Sequence, residues 1–483
     1  MEIKCLGGTN EIGGNKILVE HKGTKIFLDF GKSFNQFSKY FSEFLNPRKS
    51  VGLKDFFELN LLPDIEGIYR EDYLKHMGRS TEKRDLDAVF LSHAHADHAQ
   101  YIHFLRKDIP IYCNKATYII LKVLEETGVG SFSDLVTTCD SFTFYRNEKD
   151  KLSKVTRRNK KYVKSRPFVI MEPEKPIQIG SLKLEMLPVD HSLPGASGCI
   201  IYSDEGNLAY TGDIRFHGYN AEKSKRFIGK TTSVNPKWMI CEGTRIDKTE
   251  KDAEDEIEKE ITKLISNTKG LVFVEHPIRD LDRVVTIFEA SKKNRREFVV
   301  TPKLAYLIKS LGKICPFKLD DIKILIPLRE WGLICSNRTD LRLIAEEFHP
   351  KREYKPWEQD LIWETSNDKR KNVITYRELQ KNPDKYVVSI NLWEINHLSD
   401  IKPRDAIWIK SSCEPFSDDM EIDEERKNNW LEHFNIKRFT AHASGHASGE
   451  EIKKMIKKIN PEILIPIHTE HPEMLTKILP KDF

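Results

Sequence analysis

Residues 91–98 read Leu-Ser-His-Ala-His-Ala-Asp-His and follow a short apolar stretch that predicts a β-strand. Side chains in extended backbone repeat every second residue, so His93 and His95 project the same way and can hold one metal ion. Asp97 and His98 stand where the chain is expected to turn into a helix, and they can reach a second ion. Imidazole nitrogen and carboxylate oxygen are the usual non-thiolate ligands of zinc. The stretch therefore predicts a zinc site directly after a strand.

Three more residues of suitable chemistry follow predicted strands elsewhere in the chain. His191 comes directly after the predicted strand Leu182–Leu187, and Asp213 ends another strand. An aspartate in that place can bridge two metal ions with its two oxygens. Asp29 ends a third strand and is better placed to orient a ligand or a water molecule through a hydrogen bond. Each residue would be unremarkable alone, but together and in this order they are a specific signal for a metal site.

This succession of motifs resembles a known superfamily. Asp29, the run at 93–98, His191 and Asp213 are similar to the four successive motifs of the metallo-β-lactamase superfamily. The resemblance implies an α/β fold, namely an αββα sandwich with a two-zinc site at one edge of its sheets.

Three later residues narrow the resemblance. Glu242 closes the predicted strand Trp238–Glu242, His446 lies in a loop rich in alanine, serine and glycine, and His468 follows an apolar strand. These resemble the three further motifs of the β-CASP nucleases, most closely ribonuclease J and its archaeal-type relatives. The resemblance implies a metal-dependent phosphodiesterase with an inserted β-CASP domain.

The resemblance also implies a role for each residue. Asp97, His446 and Glu242 are the expected catalytic residues: His446 would contact the scissile phosphate or protonate the leaving oxygen, and Glu242 would hold its imidazole. His442, Ser444, Gly445 and His446 would bind substrate phosphate. Asp29 would lie behind the ligands. The implied ligands are His93, His95, His191 and Asp213 for one zinc ion, and Asp97, His98, Asp213 and His468 for the other.

The substrate prediction depends on one residue. The last β-CASP motif is typically histidine in RNA-directed members and valine in DNA-directed members, and here it is His468. The resemblance thus implies a zinc-dependent ribonuclease acting on single-stranded RNA, as a 5′-to-3′ exonuclease with additional endonuclease action, in RNA processing or decay. The alternatives are a DNA nuclease of the repair type, a thioesterase-like hydrolase, and a catalytically weak nucleic-acid-binding subunit. The extra motifs count against the thioesterase, and the complete ligand set counts against the inactive subunit.

The distribution of chemistry along the chain predicts a discontinuous domain. Strand and helix patterns alternate throughout, but candidate catalytic residues thin out in the middle and return near the end. We expect the N-terminal part of the metallo-β-lactamase domain at 1–245, an inserted β-CASP domain at 246–435, and a return segment at 436–483. Because the sequence ends soon after the last motif, we expect no counterpart of the extra C-terminal domain of bacterial ribonuclease J.

Composition limits location and partners. Lys and Arg number 78 against 74 Asp and Glu, so no global charge marks the chain as a nucleic-acid-binding protein. The eight cysteines occur singly, without a Cys-x-x-Cys pair, which favours a reduced, cytoplasmic protein. No apolar run is long enough for a membrane span. The oligomeric state stays open, with a homodimer among the alternatives.

Three local features allow two readings each. Ten Lys or Arg lie between Arg146 and Arg166, as a solvated loop or as a phosphate-gripping insert. Arg283 ends a strand-to-helix turn that either corresponds to an arginine-containing turn of the β-CASP family or is a surface helix cap. The glycine-rich residues 7–15 have the first spacing of a phosphate loop but lack its Lys-Ser/Thr, and we interpret them as a turn.

Overall fold

The protein forms two compact units. The first comprises Met1–Lys251 and Gly445–Phe483, and the second comprises Asp252–Ser444. No helix within the described ranges is long and apolar enough to cross a membrane. The structure, a computed structural model, describes residues 1–478 except 43, 129–135, 157–162, 250–252, 327–354, 365–368, 371 and 415–417.

The first sheet of the first unit starts with antiparallel strands and continues with parallel ones. Lys16–His21 pairs with both of its chain neighbours in antiparallel fashion. Thr24–Phe30 then pairs in parallel with Ala88–Leu91. The carboxyl ends of these two strands therefore meet at one edge, which brings Asp29 next to the start of the metal-binding stretch. Across the sheet, the strands are Glu2–Cys5, Lys16–His21, Thr24–Phe30, Ala88–Leu91, Ile111–Cys113 and Phe168–Ile170.

The second sheet is completed by the end of the chain. Ile463–Ile467 pairs in parallel with Trp238–Glu242, and this strand pairs in parallel with Leu208–Tyr210. The residues that follow these three strands thus lie at one edge. Across the sheet, the strands are Ile177–Ile179, Leu182–Pro188, Ser197–Tyr202, Leu208–Tyr210, Trp238–Glu242 and Ile463–Ile467.

The two sheets pack face to face. Ile26 and Leu28 of the first sheet and Met186 and Ile201 of the second belong to one fully buried apolar cluster. The outer face of the second sheet is covered by two helices whose apolar residues form another cluster with it. The strands are buried almost continuously because both faces of the sheets are covered, as the predicted αββα sandwich requires. The helices of this unit are Phe34–Ser38, Lys54–Glu58, Glu71–His76, Ala96–Ala99, Lys115–Thr127, Ala221–Ser233, Gly449–Ile459 and Pro472–Thr476.

Two short hairpin-like pairs lie outside these sheets in the first unit. Thr138–Asp140 pairs with Val163–Ser165, and Phe142–Arg146 pairs with Leu152–Thr156. Arg157, Arg158, Lys160 and Lys161 of the basic segment lie outside the described residues.

The second unit is built around a parallel sheet. Its central strands are mostly apolar and buried, as in Val272–Glu275 and Tyr386–Ser389, which is expected of parallel strands covered on both faces. The strands, in order, are Val373–Ile374, Lys323–Leu325, Glu297–Val300, Tyr386–Ser389, Val272–Glu275, Ile407–Lys410 and Lys437–Thr440. A small pair is formed by Trp363–Glu364 and Lys369–Arg370. The described helices are Glu254–Ser266, Leu281–Lys293, Pro302–Leu311, Pro356–Ile362, Tyr376–Lys381, His397–Ile401 and Asp418–His433.

The boundary at which the chain leaves the second unit lies further along than the sequence pattern indicates. Lys437–Thr440 pairs in parallel with Ile407–Lys410, so this strand belongs to the second unit's sheet. The observed unit consequently extends to Ser444 rather than to 435. Pairing between strands distant in the sequence decides this boundary, and the local pattern does not reveal it.

Candidate metal centre

The first group of candidate ligands converges at the edge of the sandwich. His93, His95, His191 and Asp213 each offer one ligand atom, and these atoms lie within 4.8 Å of one another. His93 Nε2 lies 3.4 Å from Asp213 Oδ2, and His191 Nε2 lies 3.6 Å from the same oxygen. His191 Nε2 is also 3.2 Å from His95 Nδ1. The fold thus brings together the four residues predicted for one ion.

A second group adjoins the first. The ligand atoms of Asp97, His98 and His468 also lie within 4.8 Å of one another. His468 Nε2 lies 3.2 Å from Asp97 Oδ2, and His98 Nε2 lies 3.9 Å from it. Asp213 faces this group as well, because its Oδ2 is 3.3 Å from His98 Nε2 and its Oδ1 is 3.8 Å from His468 Nε2. Asp213 therefore lies between the two groups, where a bridging carboxylate is expected.

Burial and mutual electrostatics set the protonation of this cluster. Burial lowers the pKa of His93 and that of His191 well below the usual histidine range. Burial alone would raise the pKa of Asp213, but the surrounding imidazoles, His98 among them, hold it well below its usual value. Neutral His93 and His191 beside an ionised Asp213 are in the form in which these groups bind metal. Burial alone would also lower the pKa of His98, but Asp213 and Asp29 outweigh it and raise that pKa well above the usual histidine range.

The donor atoms fit a bound cation. His98 Nε2 and Asp213 Oδ1 are buried, and neither has a hydrogen-bond partner within the described part of the chain. A buried polar atom without a partner costs about 1–3 kcal/mol, so two of them in one cluster are expected to have a ligand. Calcium and magnesium prefer oxygen-only sites, whereas imidazole with carboxylate is typical of zinc. The chemistry of the donor set therefore fits zinc.

Asp29 orients one of these donors from behind. Its carboxylate accepts hydrogen bonds from Ser92 N, Ser92 Oγ and Tyr210 Oη, each at 2.7 Å. It lies at the same distance from His98 Nδ1, which donates to it and leaves Nε2 for a metal. Asn15 Nδ2 in turn donates to Tyr210 Oη at 3.1 Å. Asp29 is thus bonded to the candidate ligand His98, and Tyr210 and Asn15 are further partners that sequence patterns do not identify.

The three β-CASP-type residues are connected through a further residue that the sequence analysis missed. Thr244 Oγ1 donates to Glu242 Oε2 at 2.7 Å and lies 2.8 Å from His468 Nδ1, which donates to it. Glu242 Oε1 lies 3.0 Å from His446 Nδ1 and also accepts from Ile214 N at 2.8 Å. Thr244 follows Glu242 by two residues, which is the only sequence signal for its role.

His446 faces the metal-ligating groups. Its Nε2 lies 4.0 Å from Asp213 Oδ2, and its ring lies 5.1 Å from that of His191. Burial alone would lower the pKa of His446, but Glu242 and Asp213 outweigh it and raise that pKa to about 9. The imidazole is therefore held protonated at neutral pH, as a proton donor requires.

The glycine-rich turn at 7–15 wraps around the second group of ligands. Gly8 O accepts a hydrogen bond from His468 N at 2.7 Å, and Asn15 N donates to Asp97 O at 3.0 Å. Gly13 has a φ of +81°, and a Cβ built there would lie 2.7 Å from Asp97 Oδ2. These contacts agree with the turn interpretation and add a function that spacing alone did not indicate, since the turn positions two candidate ligands.

The remaining predicted residues lie where the second unit ends. His442 and Ser444 belong to that unit, and Gly445 begins the return segment, where its carbonyl accepts from His191 Nδ1 at 2.5 Å. Within the second unit, Arg283 is fully buried, and it donates to Ala441 O at 3.1 Å.

The turn before Arg283 satisfies the helix-cap reading only in part. Asp280 caps the helix Leu281–Lys293 by accepting from Arg283 N, so a cap is present. The Arg283 side chain is nevertheless not at the surface, because it forms a buried ion pair with Glu254 at 2.9 Å. Arg283 thus connects Glu254 to the backbone that leads to Ser444.

Comparison with known families identifies two segments. Residues 63–250 match the family described as a beta-lactamase superfamily domain, which includes the run at 93–98 together with His191 and Asp213. Residues 433–476 match the family described as a Zn-dependent metallo-hydrolase RNA specificity domain.

Several curated proteins are similar over nearly the whole chain. Ribonuclease J of Mycoplasma genitalium is 22% identical, with 98% of this chain and 69% of that protein covered. Ribonuclease J of Pyrococcus abyssi is 23% identical, with 99% and 91% covered. Ribonuclease J of Helicobacter pylori is 23% identical, with 98% of this chain but only 56% of that protein covered.

A solved structure is similar in fold. A crystal structure of a protein of unknown function from Enterococcus faecalis matches with a TM-score of 0.69 and 23% identity, covering 98% of this chain and 95% of that one. This structure shares the fold, and the two matched segments and the ribonuclease J relatives make the chain similar to metallo-β-lactamase proteins of the β-CASP, ribonuclease J-like branch.

Proposed function

We propose that this protein is a zinc-dependent ribonuclease that hydrolyses RNA phosphodiester bonds at a site for two zinc ions. The observation that carries the proposal is the position of Asp213, which lies between the two ligand groups with His446 Nε2 4.0 Å away. A pair of ions close together suits in-line displacement at phosphorus. The similar proteins named as ribonucleases, and the RNA specificity domain that spans His446 and His468, support RNA as the substrate.

The chain's part in this chemistry is to orient its donors. His98 and His191 each direct the Nδ1 proton to a protein oxygen, which leaves Nε2 for a metal ion. When bound, zinc would supply Lewis-acid activation of water and stabilise the negative charge of the displacement. One ion would be held by His93, His95, His191 and Asp213, and the other by Asp97, His98, Asp213 and His468.

His446 is the proposed general acid. Glu242 accepts a hydrogen bond from His446 Nδ1. The proton on Nε2 can therefore pass to the leaving oxygen of the RNA sugar as the phosphorus–oxygen bond breaks. Because Glu242 raises the pKa of His446, Glu242→Gln lowers it. The acid form is then lost at lower pH, and we expect the alkaline limb of the pH–rate profile to move to lower pH. An unmoved alkaline limb would exclude His446 as the acid.

The loop of His442, Ser444, Gly445 and His446 is the proposed anchor for substrate phosphate. Ser444 and the neighbouring backbone amides offer donors of the kind that anion-binding loops use. A 5′-terminal phosphate anchored there favours 5′-to-3′ exonuclease action, with faster release of mononucleotides from 5′-monophosphate RNA than from 5′-hydroxyl RNA. Ser444→Ala is expected to remove this preference while zinc content stays unchanged, because Ser444 is not a proposed ligand.

The proposal includes domains, location and assembly. We assign the first unit to the metallo-β-lactamase domain and the second to the inserted β-CASP domain. The seven cysteines in the described residues are free thiols, which supports a reducing, cytoplasmic environment. Both monomeric and homodimeric enzymes are compatible with this mechanism, since all proposed ligands come from one chain.

Incubation with end-labelled RNA and with DNA of the same sequence tests the substrate class, with and without a chelator. We expect RNA to be cut much faster than DNA, and chelation to stop the reaction. A clear preference for DNA would favour the repair-type nuclease. Absence of cleavage with zinc bound would favour a nucleic-acid-binding subunit.

Zinc content tests the metal site. The native chain is expected to hold two zinc ions, and Asp97→Ala is expected to lose one of them together with hydrolysis. Asp85→Ala is a matched control, since this aspartate is exposed and pairs with Lys25 outside the site. Activity that survives both chelation and Asp97→Ala would exclude a metal-dependent mechanism.

A further inference from the structure

We propose that an aromatic edge formed by Phe34, Tyr40 and Phe44 stacks against bases of single-stranded RNA next to the metal centre. This inference rests on the proposed ribonuclease function and extends it to a binding surface. The three side chains fall within eleven residues of sequence, and their exposed fractions are 41%, 44% and 93%. Single exposed apolar residues are ordinary, but three exposed aromatic side chains within one short stretch are more than scattered exposure, and we take the stretch as a candidate binding surface.

The aromatic edge begins directly beside the metal-binding loop. Lys32 N donates to Ala96 O at 3.1 Å, and a Cβ added to Gly31 would lie 1.7 Å from Asp97 O. Phe34, where the short helix Phe34–Ser38 begins, is two residues beyond Lys32, a chain length of at most about 7 Å. The first ring of the edge is therefore held close to the backbone that carries the candidate ligands.

Side-chain contacts fix the start of this helix. Ser33 Oγ donates to the buried Glu11 Oε2 at 2.6 Å and accepts from Gln36 N at 3.1 Å, so it caps the helix while holding the glycine-rich turn. The exposed Ile12 follows Glu11 directly and extends the apolar surface at this point. The start of the aromatic edge is thus held by the hydrogen bonds of Ser33, while its aromatic rings are exposed.

The charge around the aromatic edge favours a polyanion. The Lys32 ammonium group lies 3.5 Å from the centroid of the Phe37 ring and 5.1 Å from that of Phe34, which holds a positive charge among the rings. Arg48 pairs with Asp55, and the lysines leave the stretch positive overall. The sequence from 32 to 49 contains one acidic residue, Glu43, and four basic residues, Lys32, Lys39, Arg48 and Lys49.

This combination selects single-stranded RNA over a protein partner. Proteins that bind single strands combine positive charge for the backbone with aromatic rings for the bases, and stacking tolerates any base. Protein–protein interfaces, in contrast, are depleted in lysine. Bases paired in a duplex are already stacked and do not reach such rings.

The test separates base stacking from phosphate contact. The variant Phe34→Ala/Tyr40→Ala/Phe44→Ala is compared with its parent in binding a short single-stranded RNA and the same strand made abasic. Both chains carry His446→Ala, which slows cleavage and keeps all proposed zinc ligands. We expect the triple variant to bind normal RNA at least roughly tenfold more weakly and abasic RNA as tightly as its parent does. Because these rings are exposed, the substitutions are expected to leave the melting temperature nearly unchanged.

Trp393→Ala is the matched control, since Trp393 is an exposed aromatic residue of the second unit with 83% of its surface exposed. Equal binding of normal RNA by the triple variant and its parent would overturn the aromatic edge, provided that the native chain cuts RNA. If the native chain does not cut RNA, the cleavage assay shows that the proposed function is wrong, and this result is separate from the binding comparison. A dimeric parent that becomes monomeric on substitution would show that the edge joins two copies of the chain, which also overturns the proposal.

Discussion

The hydrogen bond from Tyr210 to Asp29 offers a direct test of how the fold tunes its metal centre. Tyr210→Phe removes one hydroxyl group and keeps the ring. The hydroxyl donates to Asp29 Oδ2 at 2.7 Å, and the same oxygen accepts a hydrogen bond from His98 Nδ1 at 2.7 Å. The variant therefore acts on a proposed ligand through two successive hydrogen bonds, without contact to the metal position itself.

The expected magnitude follows from the number of bonds to Asp29. Its carboxylate accepts from Ser92 N, Ser92 Oγ, Tyr210 Oη and His98 Nδ1, so the variant removes one bond of four. A hydrogen bond to a charged group is worth about 1.5–3 kcal/mol. Part of that loss lowers the free energy of unfolding. The rest weakens zinc binding, because His98 is less well oriented and less basic. We expect zinc affinity to fall about tenfold, the lower end of the effect of such outer partners.

Competition with a coloured chelator measures this loss, and elemental analysis counts the zinc that stays bound. Tyr202→Phe is a matched control in the same sheet, because Tyr202 Oη donates to the carboxylate of Glu185. Both variants lose a tyrosine–carboxylate hydrogen bond and are expected to lose some stability. Only Tyr210→Phe is expected to lose zinc affinity.

Two results would refute the reasoning. Zinc binding by Tyr210→Phe as tight as that of the native chain would show that the hydroxyl does not support His98 through Asp29. An equal loss of zinc affinity in Tyr202→Phe would show that the effect comes from general destabilisation of the sheet. A stronger effect from Asp29→Asn than from Tyr210→Phe is expected, because Asp29 contacts His98 directly.

Two more predictions follow from local geometry. Gly13→Ala is expected to lower zinc content, because the new Cβ would lie 2.7 Å from Asp97 Oδ2. Gly23→Ala is the matched control, since Gly23 also has a positive φ, of +78°, but has open space around it. Equal zinc content in the two variants would contradict this prediction. Burial lowers the pKa of His276 from 6.5 to about 4, so the folded state binds fewer protons than the unfolded state in that range. The contribution of His276 to the free energy of unfolding is fully present above pH 6.5 and is lost as pH falls towards about 4. The total loss is about 3 kcal/mol at most. Urea unfolding at several pH values checks this, and His276→Gln, which has no titrating group, should lose less stability than the native chain over this range.

The sequence allowed the candidate ligands to be chosen because these residues follow strands whose ends meet. His93, His191 and Asp213 each come after an apolar run. The strands before His191 and Asp213 run in the same direction on either side of an antiparallel strand, so these positions lie at one edge of their sheet. Hydrogen-bond partners were not predictable in this way. Asn15 and Tyr210 are 195 residues apart, and only the packing of two sheets brings them into contact.

The glycine-rich turn illustrates a second limit of local patterns. Its residue types indicate a change of chain direction, but they do not indicate what the turn encloses. Its contacts with Asp97 and His468 arise from strands that are contributed by opposite ends of the chain. The end of the second unit is similar, because the sheet position of Lys437–Thr440 depends on pairing with a distant strand.

Backbone conformation explains why so much of this neighbourhood serves the metal centre. Asp29 and His468 adopt φ values of +59° and +53°, a region that costs a residue with a Cβ about 1–2 kcal/mol. Specific bonds offset this cost in both cases: the Asp29 carboxylate is held on both oxygens, and His468 N donates to Gly8 O while its Nδ1 donates to Thr244. Relaxing either residue to a negative φ would redirect its side chain away from the other donors. These bonds fix the direction of both side chains, so the glycine-rich turn and Thr244 belong to the candidate metal centre as much as the proposed ligands do.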